Sequence, residues 1–180
     1  MAQSVEKVYA DALFELSVEQ NTLEDTYEEL KALKKIFDDN EELVLLLSSP
    51  SMGEGDKHSV IENIFKGRVS ETTFNFLNVL ADHGRVRFFD KIEEVFHGLY
   101  NDSKGIMEVE VVTTEPLNDT LKGKLKAKLE AQSGKSVIIN STIDKSIIGG
   151  IIVRYSDSEI DGSLKKRLNE LRKSIDSYIA

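Results

Sequence analysis

Cysteine is absent from this 180-residue chain, which excludes disulfides, thiolate nucleophiles, Cys-ligated zinc and iron–sulfur clusters. Only 2 prolines occur, so long extended linkers are not expected. No stretch approaches the roughly 18–20 apolar residues that a membrane-spanning helix needs. Met1 to Glu6 offers neither a basic nor an apolar leader region, so no secretory signal is expected and the cytoplasm is the default compartment. Histidine is limited to His58, His83 and His97, far apart in sequence. Without an HExxH or HxH pair no histidine metal site is expected, and solvated or capping histidines are the plain reading.

What is present describes a globular protein. Hydrophobic residues make up 40% and charged residues 31%, and the length suits one domain or two small ones. The net charge of −9 argues against non-specific nucleic-acid binding as the main task. The charge is also uneven. Residues 1–105 hold 21 acidic and 11 basic side chains, whereas residues 106–180 hold 11 and 12. Two parts with different partners are implied.

The first part reads as helices throughout. Ser4 is placed to cap a helix carrying Val8, Tyr9, Ala12, Leu13 and Leu16. Thr22 with Asp25 resembles a capping box ahead of Leu23, Tyr27, Leu30, Leu33 and Phe37. Asp38-Asp39-Asn40 interrupts that stripe. The run Leu43 to Leu47 then makes a third helix, which stops before Pro50 because the residue ahead of proline is pushed out of the helical region. Val60, Ile61, Ile64 and Phe65 predict a fourth helix ended by Gly67. Ser70 caps a fifth with Phe74, Leu77, Val79 and Leu80, closed by Gly84. Phe88 to Tyr100 gives a sixth, ending near Gly105. All 8 Phe lie at or before Phe96, so aromatic packing belongs to this half.

After Gly105 the period changes from helical to alternating. Met107, Val109 and Val111 predict a half-buried strand. Pro116 suits a helix first turn, and Leu117, Leu121, Leu125 and Leu129 follow every four residues until Gly134. Val137 to Ile143 is β-branched and strand-like. Ile147 to Tyr155 reads as a third strand entered at Gly149-Gly150. Asp157 and Ser158 are read as a tight turn, and a last helix carries Leu164, Leu168, Leu171, Ile175 and Ile179. The expected fold class is α+β. An N-terminal six-helix bundle over residues 1–105 precedes a small β-α-β-β-α domain over residues 106–180 that ends in a C-terminal helix.

A search for chemistry finds little. There is no G-x-S-x-G nucleophile elbow. Gly149-Gly150 leads into the strand Ile151-Ile152-Val153 rather than into Lys-Ser/Thr and a helix, so a bulge or close backbone approach is favoured over a phosphate loop. Lys122, Lys124, Lys126 and Lys128 spread over about three helix faces, a solvated surface rather than a nucleic-acid stripe. Neighbouring carboxylates such as Glu28/Glu29 and Glu93/Glu94 point about 100° apart on a helix and form no acid–base pair. No catalytic residue, cofactor site or metal site is expected. Two small domains rich in amphipathic helices fit an adaptor.

Three ordered motifs carry a family resemblance. The segment from Ile148-Gly149-Gly150 through Arg154-Tyr155 to Ile160-Asp161-Gly162-Ser163 and Leu168 resembles the signature of the δ subunits of bacterial rotary ATP synthases. The mitochondrial counterpart is the oligomycin-sensitivity-conferring protein. Tyr9-Ala10-Asp11-Ala12-Leu13-Phe14 is similar to that family's first-helix pattern, and Asn78 to Arg85 is similar to the end of its fifth helix. The order of helices and strands matches along the whole chain. Gly149 and Gly150 then remove side chains where the chain enters a strand, Asp161 is placed to cap the last helix by accepting from Ser163 or Leu164, and Gly162 frees the backbone there.

The resemblance implies a non-catalytic peripheral-stalk subunit at the cytoplasmic face of the cell membrane, which holds the catalytic head still against the rotor. Its helical domain would bind the N-terminal helices of the α subunits, in grooves that include the first and fifth helices. Its second domain would bind the C-terminal ends of the b subunits. On the first helix, Tyr9, Ala12, Leu13 and Leu16 recur at i, i+3, i+4 and i+7; on the fifth, Val79 and Leu80 lie near the family's contact region. An amphipathic pattern does not separate a partner groove from a core: Leu13 and Leu16 fall first to the core, and Tyr9 and Ala12 equally to either. The rival readings are a small enzyme without a recognisable motif and a nucleic-acid-binding module using the Lys-rich helices.

Overall fold

A computed structural model describes residues 4–155 and 158–179, with side chains through Ser174. The fold is α+β and falls into two compact units, one ending at Tyr100 and the other beginning at Asn101. The expected boundary stood at residue 105, the glycine that ends the sixth helix.

The first unit is built from α1 (Val5–Glu19), α2 (Leu23–Asp39), α3 (Glu41–Ser48), α4 (Glu54–Phe65), α5 (Glu71–Asp82) and all but the last turn of α6 (Phe89–Lys104), with a 3-10 turn at Val86–Phe88. The starts of α1 and α5 are capped as their sequences require. Ser4 accepts from the Lys7 N–H, and Ser70 accepts from the Thr73 N–H at 3.3 Å. The Glu29 carboxylate accepts in turn from the Ser70 N–H at 2.7 Å and hydroxyl at 2.8 Å, which ties the head of α5 to α2. Thr22 departs from the expected capping box. Its backbone holds ψ near 15° instead of the extended value a capping residue needs, so its side chain makes no cap bond. The Thr22 Oγ1 is buried without a hydrogen-bond partner among the described residues.

Apolar stripes of the six helices meet in one core that includes Leu30, Leu33, Ile61, Leu77, Leu80, Ile92 and Phe96, each at most 1% exposed. All eight phenylalanines belong to this core or pack against it. Phe37 lies edge-on to Phe89 at 4.8 Å and to Phe65 at 6.1 Å. Each such side chain contributes about 1.5–3 kcal/mol on burial.

The second unit contains β1 (Ile106–Thr113), α7 (Asp119–Ser133), β2 (Ser136–Ile143), a 3-10 turn at Lys145–Ile147, β3 (Ile151–Tyr155), β4 (Ser158–Asp161) and α8 (Leu164–Ile179). The sheet order is β2-β1-β3-β4, with β1 and β2 parallel and the other pairs antiparallel. Its core is aliphatic, with Val109, Val111, Leu129, Val137, Ile139 and Val153 buried together.

Three expectations are corrected here. Ser158 is not in a turn: Ser158–Asp161 is a fourth strand, too short and polar to announce itself, held by pairing with β3; Asp157 lies outside the described residues. The third strand begins at Ile151 because Lys145–Ile147 coils into a 3-10 turn capped by Asp144. The second-unit helix starts at Asp119 rather than at Pro116, since Asn118 accepts from the Leu121 N–H at 2.8 Å and sets the first turn. Gly134, at φ +69°, closes it in the left-handed conformation.

Candidate functional site

α1 and α5 run antiparallel. Near the start of α1, Tyr9 meets Phe76 edge-on at 6.3 Å and accepts from Arg85, just beyond α5, at 2.7 Å. At the other end Thr72, in the first turn of α5, donates to Gln20 at 2.7 Å, just beyond α1. Between these ties lies an open cleft of about 760 Å³, walled by Tyr9, Ala12, Leu13 and Leu16 on one side and by Thr72, Asn75, Phe76 and Val79 on the other. Its walls are mainly apolar, and Glu71 is its one charged lining residue among those described.

The residues singled out on the two helices separate in three dimensions. Ala12 is exposed, Leu16 is 39% exposed, Val79 is 44% exposed and Tyr9 is half-buried. Leu16 is therefore on the cleft wall, not in the core to which its spacing first assigned it. Leu13 is 3% exposed and shows the cleft only an edge. Leu80 is fully buried, so it is a core residue and not a contact residue: one step along α5 from Val79 rotates the side chain about 100°. Phe76 and Asn75 were missed. The repeat Thr72, Phe76, Val79 at i, i+4, i+7 was the available signal, masked by the stronger stripe of Phe74, Leu77 and Leu80.

In the second unit the glycine pair and the Asp-Gly-Ser motif touch. Leu164 donates its N–H to the Gly149 carbonyl, and Gly162 donates to the Ile151 carbonyl, both at 2.9 Å. A Cβ on Gly150 would stand 2.4 Å from the Gly162 carbonyl oxygen. Asp161 accepts from the Ser163 N–H at 2.8 Å, and hydrogen bonding from the Ser163 hydroxyl, with this backbone bond, holds its carboxyl below the ordinary carboxylate range. Ser163, only 2% exposed, supplies the helix cap by accepting from the Lys166 N–H at 3.2 Å. Beyond that cap every described side chain of α8, Leu164 to Ser174, is exposed. Leu164, Leu168 and Leu171 stand 45%, 54% and 60% open. Ile175 and Ile179 complete the predicted stripe, but their side chains lie outside those described. Lys165, Lys166, Arg167, Arg172 and Lys173 surround it.

The three histidines stay apart in different surroundings. His58 pairs with Asp82 at 2.7 Å, and His97 lies beside the Tyr27 ring. Among the described residues no cluster of three or more His, Asp or Glu side chains is placed to hold a metal. No described helix is long and apolar enough to cross a membrane. A clefted helical unit followed by a sheet unit bearing a largely exposed helix is the class of architecture suited to holding other chains.

Comparison with known proteins makes this specific. Residues 5–175 match the family model described as ATP synthase delta (OSCP) subunit. The ATP synthase subunit delta of Alkaliphilus metalliredigens is 36% identical over 175 residues, 97% of either chain. That of Clostridioides difficile is 31% identical over 173 residues, 96% of either chain. A chain of the mitochondrial ATP synthase hexamer of Toxoplasma gondii shares the fold, with TM-score 0.74 and 23% identity over 96% of this chain and 98% of that one. The chain belongs to the ATP synthase delta (OSCP) subunit family. It is thus a structural, peripheral-stalk subunit of ATP synthase and not a catalytic one. Neither the motif-less enzyme nor the nucleic-acid module is favoured.

Proposed function

We propose that the chain is the stator joint at the cytoplasmic face of the cell membrane, with each unit gripping a different partner. The N-terminal six-helix bundle takes the N-terminal helix of an α subunit in the α1–α5 cleft. The β-α-β-β-α module, extended by β4, takes the C-terminal ends of the b subunits, with the leucine stripe of α8 as the docking face. The observation that carries this reading is the exposure of Ala12, Leu16 and Val79 along one cleft: apolar walls open to water fit the apolar face of an amphipathic helix. The leucine stripe and flanking cations of α8 support a second such contact, with a helix whose flanks are acidic.

The test is a pair of changes. Ala12→Asp places a charge in the cleft at an exposed site, so binding of an α N-terminal peptide is lost while helicity and melting temperature stay unchanged. Removing residues 106–180 abolishes binding to b and keeps binding to α. Equal loss of fold and binding in Ala12→Asp would assign that position to the core and defeat the cleft assignment.

A further inference from the structure

The exposure of α8 raises a mechanical question: what aims a helix whose described side chains are all exposed and border the sheet only across a shallow hollow? The answer lies in its first turn. Ser163 is buried and caps the helix, Leu164 is bonded through its N–H to the Gly149 carbonyl, and Gly162 is bonded to the Ile151 carbonyl at the start of β3. The two backbones are in direct contact. The place of a Gly150 Cβ is 2.4 Å from the Gly162 oxygen and 3.0 Å from the Ser163 Cα, and that of a Gly162 Cβ is 3.1 Å from the Ile151 oxygen. Gly150 also holds φ +87°, which disfavours any L side chain.

We infer that Gly149-Gly150 and Gly162-Ser163 form a main-chain clasp, with the small Ser163 side chain as its cap, that fixes the direction of α8, making Gly150 and Gly162 positioning residues for whatever the leucine stripe holds. The physical reason is stiffness. Side chains at a joint turn about their χ angles, whereas main chains in van der Waals contact and cross-linked by hydrogen bonds have no such freedom. A load on α8 therefore enters the sheet through the main chain of β3, which pairs with both β1 and β4. The helix is clasped at its first turn, and past it the described side chains are exposed and border only a shallow hollow shared with Ile147, Ile152 and Arg154, so its aim depends chiefly on these few residues. The partner assignment rests on the stalk-docking reading above; the clasp itself does not.

The experiment uses the full-length chain with Gly150→Ala, and with Ser163→Ala as the milder change that removes the cap without a clash. Three quantities are read: hydrogen exchange at the Leu164 amide and at the sheet amides of Val111 and Val153, binding of the C-terminal peptide of b, and binding of the α N-terminal peptide. For Gly150→Ala the expected result is at least about tenfold faster exchange at Leu164 with sheet protection retained. Affinity for the b peptide falls at least about tenfold and α affinity stays within about twofold. Ser163→Ala gives smaller changes of the same pattern. Unchanged Leu164 exchange in Gly150→Ala overturns the clasp. So does a loss of sheet protection in step with Leu164 in Ser163→Ala, since the residues would then merely hold the unit folded. If the unaltered chain fails to bind the b peptide, the stalk-docking reading falls, while exchange at Leu164 still decides the clasp.

Discussion

The guanidinium of Arg85 donates to the Tyr9 hydroxyl at 2.7 Å and lies 5.3 Å from the centre of the same ring. Arg85 stands just past the left-handed Gly84 that follows α5, so a residue just beyond one helix fixes an aromatic wall contributed by the other. Tyr9→Phe keeps the ring and removes the bond, and a hydrogen bond to a charged group is worth about 1.5–3 kcal/mol. Titration calorimetry with the α peptide is expected to show a loss for Tyr9→Phe and a comparable loss for Arg85→Ala. Unchanged affinity in both would mean that packing against Phe76 alone holds the ring.

Thr22 offers the opposite case, a buried hydroxyl that earns nothing. Its oxygen has no partner among the described residues, and replacing an unsatisfied polar group by an isosteric apolar one is neutral or favourable. Thr22→Val should leave the urea midpoint unchanged or raise it. Ser70→Ala, at a working cap, should cost about 1–2 kcal/mol.

Ile148 sits at φ +69° and is 61% exposed, a left-handed conformation that a β-branched side chain resists. A residue held in so sparsely populated a region costs roughly 1–3 kcal/mol there. Ile148→Gly removes that cost and gives back roughly 0.5–1 kcal/mol in unfolded-chain entropy. A small net stabilisation is expected, read as a rise in melting temperature with unchanged b-peptide affinity.

Tyr100 donates to the Glu24 carboxylate at 2.6 Å, and this bond, with burial, pushes the phenol from 10.0 up to about 12. As pH climbs past about 10, the unfolded chain gives up this proton first, so the folded state binds more protons and loses stability. The contribution is complete below that point and fades between about 10 and about 12. Denaturation midpoints across this window should fall less steeply in Tyr100→Phe than in the unaltered chain.

Much of the architecture was legible from local rules. Ser4, Ser70 and Gly134 act where helix ends demand them, and the change from a helical to an alternating period after Gly105 marks the first strand. β4 was not legible, because Ser158 to Asp161 has no apolar alternation and exists as a strand only through its pairing with β3. The capping box at Thr22 failed for a related reason: composition permits a cap, but the backbone dihedral decides it.

The amino-acid order alone determined the two-part plan, the helix and strand periods, and the motifs that carry the family, because caps, glycines and apolar spacing act over a few residues. Only the tertiary structure decided that Leu80 is core while neighbouring Val79 lines a cleft, that Leu16 faces water, and that Gly150 touches Gly162. An apolar stripe looks the same whether it meets its own core or another chain. The difference lies in which helices pack beside it, and that is settled by contacts between residues far apart in sequence.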